Sequence, residues 1–261
     1  MPANLSPDYK KAEQAFRAAR DDRERLDCLR EMLKTIPKHK GTEHLQADIK
    51  SRIKSLTEDL SGPKKGGKRS GPVHSIRPEG AAQIALIGPP NSGKSSLHAK
   101  LTGSRAQIGP YPHTTHEPMA GMLGFEDVNF QLVDLPAISA DFVAPWMQTA
   151  LQPADAVLLV VDLSDPASPE AIGTLLELLE QKKVTLSPDW PGIEASGNED
   201  EDDDDVFRIR LPTLLVANKS ELAESSEDLE ALLELAGVGF EHLAVSAETG
   251  AGLEALGKIL F

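Results

Sequence analysis

At 261 residues the chain has room for one full α/β domain and a smaller appendage. No apolar run is long enough to span a bilayer, and the opening Met1-Pro2-Ala3-Asn4 lacks a charged-then-apolar leader pattern, so a cytoplasmic protein without membrane contact is expected. Cys28 is the only cysteine, which excludes an internal disulfide and a thiolate metal site. The net charge of −14 is unevenly shared. Up to Glu79 there are 18 Lys and Arg against 12 Asp and Glu, and from Gly80 onward 9 against 29. A basic N-terminal piece can approach a phosphate backbone, whereas the acidic remainder is repelled by one.

The chain opens with helical patterns between Ser6 and Leu60. Ser6-Pro7 supplies an N-cap followed by proline in the first turn, and Asp21-x-x-Glu24 has the spacing of a capping box. Leu26, Leu29, Leu33 and Ile36 then share one helical face. Pro37 stops that helix and Gly41-Thr42 restarts the chain. Leu45, Ile49, Ile53 and Leu56 form a second stripe. A short helix followed by an αα-hairpin is predicted over 1–60. Residues 61–79 read as a basic flexible linker, rich in Gly and Pro and carrying Lys64, Lys65, Lys68 and Arg69.

From 80 to 261 strands alternate with helices, which predicts a mostly parallel sheet with helices on both faces. Strands are expected at 83–87, 118–124, 128–133, 156–161, 211–217 and 241–245, the second and third joined as an antiparallel hairpin. Within the stretch 187–205, Glu199–Asp205 is seven consecutive acidic residues. Like charge at that density resists packing, so a disordered loop between a helix and the next strand is expected.

Residues 88–95 read G-P-P-N-S-G-K-S, the spacing of a phosphate-binding loop. The loop follows an apolar strand and precedes a helical pattern running to Gly103, as such a loop requires. Gly88 and Gly93 permit close backbone approach, and the intervening Pro89, Pro90, Asn91 and Ser92 complete the turn. Its backbone N–H groups would form a nest for phosphate oxygens. Lys94 would place an ammonium on the β- and γ-phosphates, Ser95 a hydroxyl on Mg²⁺, and Ser96 continues the helix whose N-terminus faces the anion.

Three phrases resemble the Obg/DRG family of GTPases: G-P-P-N-S-G-K-S-S-L (88–97), Y-P-H-T-T-H-E-P (111–118) and S-A-E-T-G-A-G-L (246–253). I-P-K-H-K-G-T-E (36–43) resembles the helical region that precedes the nucleotide domain in DRG-type members. The resemblance implies a Ras-like P-loop NTPase fold, GTP and GDP as ligands, Mg²⁺ as cofactor and a role around the ribosome or translation. It also implies a small C-terminal TGS domain, for which this chain has no segment before Phe261.

By the same resemblance 111–118 is switch I, with Thr115 coordinating Mg²⁺ and sensing the γ-phosphate and Thr114 as the fallback. Asp134 would hold a Mg²⁺-bound water. Ala137 stands where the family has a glycine, and Ile138 where Ras-type enzymes have a water-positioning glutamine; slow intrinsic hydrolysis is therefore expected. Asn91 occupies a position that helps bind K⁺ in several relatives; tying the loop together by local hydrogen bonds is its alternative role. Asn218-Lys219-Ser220-Glu221 stands in place of N-K-x-D. Glu221 keeps the carboxylate that reads guanine but sets it a methylene further out, as in YchF-type proteins that accept ATP. Ser246, Ala247 and Glu248 match the loop that approaches guanine O6.

Two readings compete with a slowly hydrolysing GTPase: a nucleotide-binding interaction module that does not hydrolyse, and an ATP or dual-specificity NTPase. The basic N-terminal segment is compatible with ribosome or RNA contact, and nothing in the sequence indicates the oligomeric state.

Overall fold

The computed structural model describes residues 5–19, 21–38, 40–61, 75–104, 117–190, 205, 207–225 and 227–261. The described residues group into two compact units. One holds the N-terminal helices together with Asp205, and the other holds the rest.

The helical unit has three helices, α1 (Pro7–Ala18), α2 (Asp22–Thr35) and α3 (Glu43–Ser61). Both expected N-caps are formed: the Ser6 hydroxyl accepts from Tyr9 N, and Asp21 accepts from Arg23 N and Glu24 N. Thr42 closes the hairpin by donating its hydroxyl to the Pro37 carbonyl at 2.5 Å, and Gln46 Nε2 donates to that same hydroxyl oxygen. Tyr9, Phe16, Leu26, Leu29, Ile36 and Ile49 are buried as the apolar spacing requires. The α2 stripe is rotated slightly, so that Met32 is buried and Leu33 only half-buried. Cys28 is half-buried, and burial raises its thiol pKa. Asp205, at the end of the acidic run, acts electrostatically on Arg52 of α3.

The second unit is built on a seven-stranded sheet among the described residues, in the order β2-β3-β1-β4-β6-β5, with β7 also paired to β6. Its strands are β1 (Gln83–Ile87), β2 (Met119–Phe125), β3 (Val128–Asp134), β4 (Ala156–Asp162), β5 (Val184–Ser187), β6 (Ile209–Asn218) and β7 (Glu241–Ala244). Every pair is parallel except the β2–β3 hairpin.

Alternation along the strands makes two cores. Ile84, Leu86, Leu158 and Val160 face α4 (Lys94–Thr102) and α8 (Leu253–Leu260). Ala85, Ile87, Val157 and Leu159 face α5 (Met147–Leu151), α6 (Ser168–Gln181) and α7 (Glu227–Ala236). Burial on both faces explains why β1 and β4 are continuous apolar runs. No helix of the described residues is long and apolar enough to cross a membrane.

Two expectations need correction. The stretch after α6 does not lead straight into a loop, because β5 intervenes and pairs with the first residues of β6. The acidic stretch expected from 187 also begins later: Ser187 ends β5, and Trp190 packs on the α8 side, its Nε1 donating to the Ile259 carbonyl at 3.4 Å. Residues 191–204 lie outside the described residues. So do 62–74 of the expected linker, whose end is held to the sheet by Gln83 Nε2 donating to the Ile76 carbonyl at 3.0 Å.

Candidate nucleotide site

β1 lies between β3 and β4, and the chain leaves β1 for a helix on one face and β3 for helices on the other. A crevice opens beyond the carboxyl end of the strands at such a reversal, which is where open α/β sheets bind ligands. The ends of four strands bring the candidate residues there. Gly88–Ser95 follows β1, Asp134 ends β3, Asp162 ends β4 and Asn218 ends β6.

The loop between β1 and α4 has the backbone its sequence demands. Gly93 is left-handed at φ +86° and Asn91 at φ +62°, a conformation asparagine tolerates better than most residues. A side chain on Gly88 would collide with the Val160 carbonyl, and one on Gly93 with the Asn218 amide. α4 begins at Lys94, so its first N–H groups face the loop. Pro89 and Ser92 are buried, Pro90, Ser95 and Ser96 are half-buried, and the Asn91 side chain is exposed.

Lys94 is buried, and its ammonium donates to the Pro89 carbonyl at 3.2 Å. Burial lowers its pKa to about 8, with Asp134 pulling the other way. The hydroxyl of Ser95 donates to Asp134 Oδ2 at 2.6 Å. A hydroxyl and a buried carboxylate thus meet beside the loop, and both are hard oxygen donors suited to a magnesium ion.

Asn218 fastens three segments. Its Nδ2 donates to the Ser92 carbonyl at 3.0 Å, and its Oδ1 accepts from Ala247 N at 3.0 Å. Ser246 is buried and its hydroxyl accepts from Thr249 N at 3.0 Å, which shapes the turn carrying Ala247 and Glu248. Lys219 is left-handed at φ +62°, and Glu221 lies exposed in the 3₁₀ turn Ser220–Leu222 that follows. Thr114 and Thr115, with the rest of 111–116, lie outside the described residues.

Two features escape a reading of the sequence. Ile138 does more than lack a hydrogen-bonding side chain: it is buried in the core with Ala144 and Met147, and its N–H donates to the Gly88 carbonyl at 3.1 Å. Asp162 pairs with Lys219 at 2.5 Å. The only signal for it is an acidic residue closing the apolar run of β4.

The structure of Ile138 yields a first prediction. Ile138→Gln, the obvious attempt to install a water-positioning amide, buries an unpartnered amide instead. It should cost about 1–3 kcal/mol of stability, read by urea denaturation, without raising the hydrolysis rate. A faster enzyme of unchanged stability would show that residue 138 can turn toward the phosphate.

Residues 83–219 match the family model described as 50S ribosome-binding GTPase. The developmentally-regulated G-protein 2 of Arabidopsis thaliana is 33% identical over 115 residues, covering 44% of this chain and 29% of that protein. An uncharacterized GTP-binding protein of Schizosaccharomyces pombe is 30% identical over 168 residues, covering 62% of this chain and 45% of its own length. The chain thus matches less than half the length of these relatives. Among solved structures, a GTP-binding protein from Sulfolobus solfataricus in complex with GDP aligns with a TM-score of 0.47 at 15% identity, over 99% of this chain and 67% of that one. With its family model covering more than half its length, the chain belongs to the 50S ribosome-binding GTPase family.

Proposed function

We propose that the chain binds GTP and GDP with Mg²⁺ and hydrolyses GTP slowly. The observation that carries this reading is the junction of Lys94, Ser95 and Asp134 at the carboxyl end of β1 and β3. The backbone N–H groups of 88–95 and the N-terminus of α4 would hold the phosphates, and Lys94 would exchange the Pro89 carbonyl for phosphate oxygens. Ser95 and Asp134 would hold the Mg²⁺, Asp134 through a water, with Thr115 as the remaining protein ligand. The bound ion would neutralise charge on the β- and γ-phosphate oxygens.

Asn218, Ser246 and the Ala247 N–H shape a base pocket, Glu248 lies beside it, and the stem of Lys219 supplies an apolar face. Glu221 would accept from the guanine edge. Slow turnover follows from Ala137 and Ile138, since neither side chain can orient a water. Asn91, exposed on the loop, has an amide oxygen available to K⁺, which would offset charge developing during transfer. The relatives' family supports a cellular role near the ribosome, with the basic helical segment as a contact for RNA.

Competition of GTP, GDP and ATP against a fluorescent guanine nucleotide, in Mg²⁺ with K⁺ or Na⁺, tests the reading. GTP and GDP should compete and ATP should not. Glu221→Asp should sharpen the preference for guanine. Equal competition by ATP would replace it with a dual-specificity NTPase, the reading that Glu221 favours. Binding without hydrolysis in single turnover would leave a nucleotide-dependent interaction module.

A further inference from the structure

Lys219 has a long, flexible side chain, and a stem that is to lie against a purine ring must be held there. β4 and β6 run parallel with Asp162 directly beside Asn218, the residue before Lys219. Asp162 Oδ2 accepts from the Lys219 ammonium at 2.5 Å. Its other oxygen, Oδ1, accepts from both Ser164 N at 2.9 Å and the Ser164 hydroxyl at 2.7 Å. The carboxylate is therefore oriented by its own turn before the lysine reaches it. The Lys219 and Ser164 contacts together hold its pKa below the usual carboxylate range, against the effect of burial. The backbone around it is equally fixed, because Leu163 N donates to the Asn218 carbonyl at 2.9 Å.

We infer that Asp162 is a positioning residue for the base pocket: it anchors the Lys219 ammonium, so that the stem is ordered before the nucleobase arrives. The inference rests on the nucleotide reading above and extends it to a residue outside the phosphate loop. Ordering a lysine side chain costs up to about 2 kcal/mol of rotamer entropy, which an anchored stem does not lose again on binding. Ser164 supports the anchor and Lys219 delivers it.

A double-mutant cycle on the full chain, read by GDP affinity and by thermal stability, tests this. Asp162→Asn and Lys219→Ala should each weaken GDP binding about tenfold, and the double variant should be no worse than Lys219→Ala alone. Asp162→Glu should restore part of the affinity, and Ser164→Ala should show a smaller loss in the same direction. Melting temperatures of the single variants should stay close to that of the parent. Additive losses, or a fall in stability that matches the fall in affinity, would overturn the inference and make the pair a brace of the fold. An unaltered protein that fails to bind GDP would instead remove the nucleotide reading, and this inference with it.

Discussion

Lys94→Met should abolish high-affinity GTP and GDP binding and at the same time leave the nucleotide-free protein more stable at neutral pH. The two effects have one cause. The Lys94 ammonium is buried and donates to the Pro89 carbonyl, a neutral acceptor, and burial lowers its pKa from 10.5 to about 8. At about 1.4 kcal/mol per pKa unit, holding that charge without a phosphate costs the native state roughly 3 kcal/mol. Methionine keeps an unbranched apolar stem and removes the charge. Charge-assisted hydrogen bonds are worth roughly 1.5–3 kcal/mol each, so losing two at the phosphates should weaken binding about a hundredfold or more.

The pH dependence has a definite sign. Below pH 8 both the native and the unfolded chain carry the proton, and the native state bears the full desolvation. Between about 8 and 10.5 the unfolded chain holds the proton more firmly than the native one, so stability rises with pH across that window. Urea denaturation of the nucleotide-free protein at a series of pH values should show this rise, and Lys94→Met should lack it. A variant that is less stable than its parent at pH 7, or that still binds GDP tightly, would show that the ammonium is not the strained group. A bound phosphate reverses the pressure by favouring the charged lysine. Affinity of the parent for GDP should therefore decline as pH rises through 8.

How far the site could be read from the sequence depended on the range of the interactions. The phosphate loop is local: an apolar strand, two glycines where a side chain would collide, and a helix beginning at Lys94 are all written within about twenty residues. The caps at Ser6 and Asp21 are local in the same sense. β5 was not legible, because Val184–Ser187 is four residues long, with lysines before it and a proline after it. Its identity as a strand comes from pairing with residues 209–212, far along the chain. Asp162 was hidden for a related reason. Its partner Lys219 is 57 residues away and is brought beside it only by the register of β4 on β6. For Ile138 the sequence showed what the side chain cannot do to a water. That its N–H holds the Gly88 carbonyl follows only from β1 and β3 lying side by side.

The same dependence on long-range register makes Gly93→Ala the most damaging small substitution expected in the site. An alanine there meets two separate obstacles. The backbone is left-handed at φ +86°, which costs a β-carbon roughly 1–2 kcal/mol. The new methyl would also collide with the Asn218 amide, which donates to the Ser92 carbonyl while accepting from Ala247 N. Displacing that amide leaves both backbone partners unsatisfied, at roughly 1–3 kcal/mol each. Gly93→Ala should thus lose about 3–8 kcal/mol of stability and all measurable nucleotide binding. The collision and the strain separate in a double-mutant cycle. Asn218→Ala already forfeits both hydrogen bonds and removes the atoms in the way, so adding Gly93→Ala to it should cost only the backbone term. If the two losses simply add, Asn218 is not what the methyl strikes. If they do not, one side chain from the end of β6 holds the phosphate loop to the base-binding turn, and a methyl group on the loop is enough to part them.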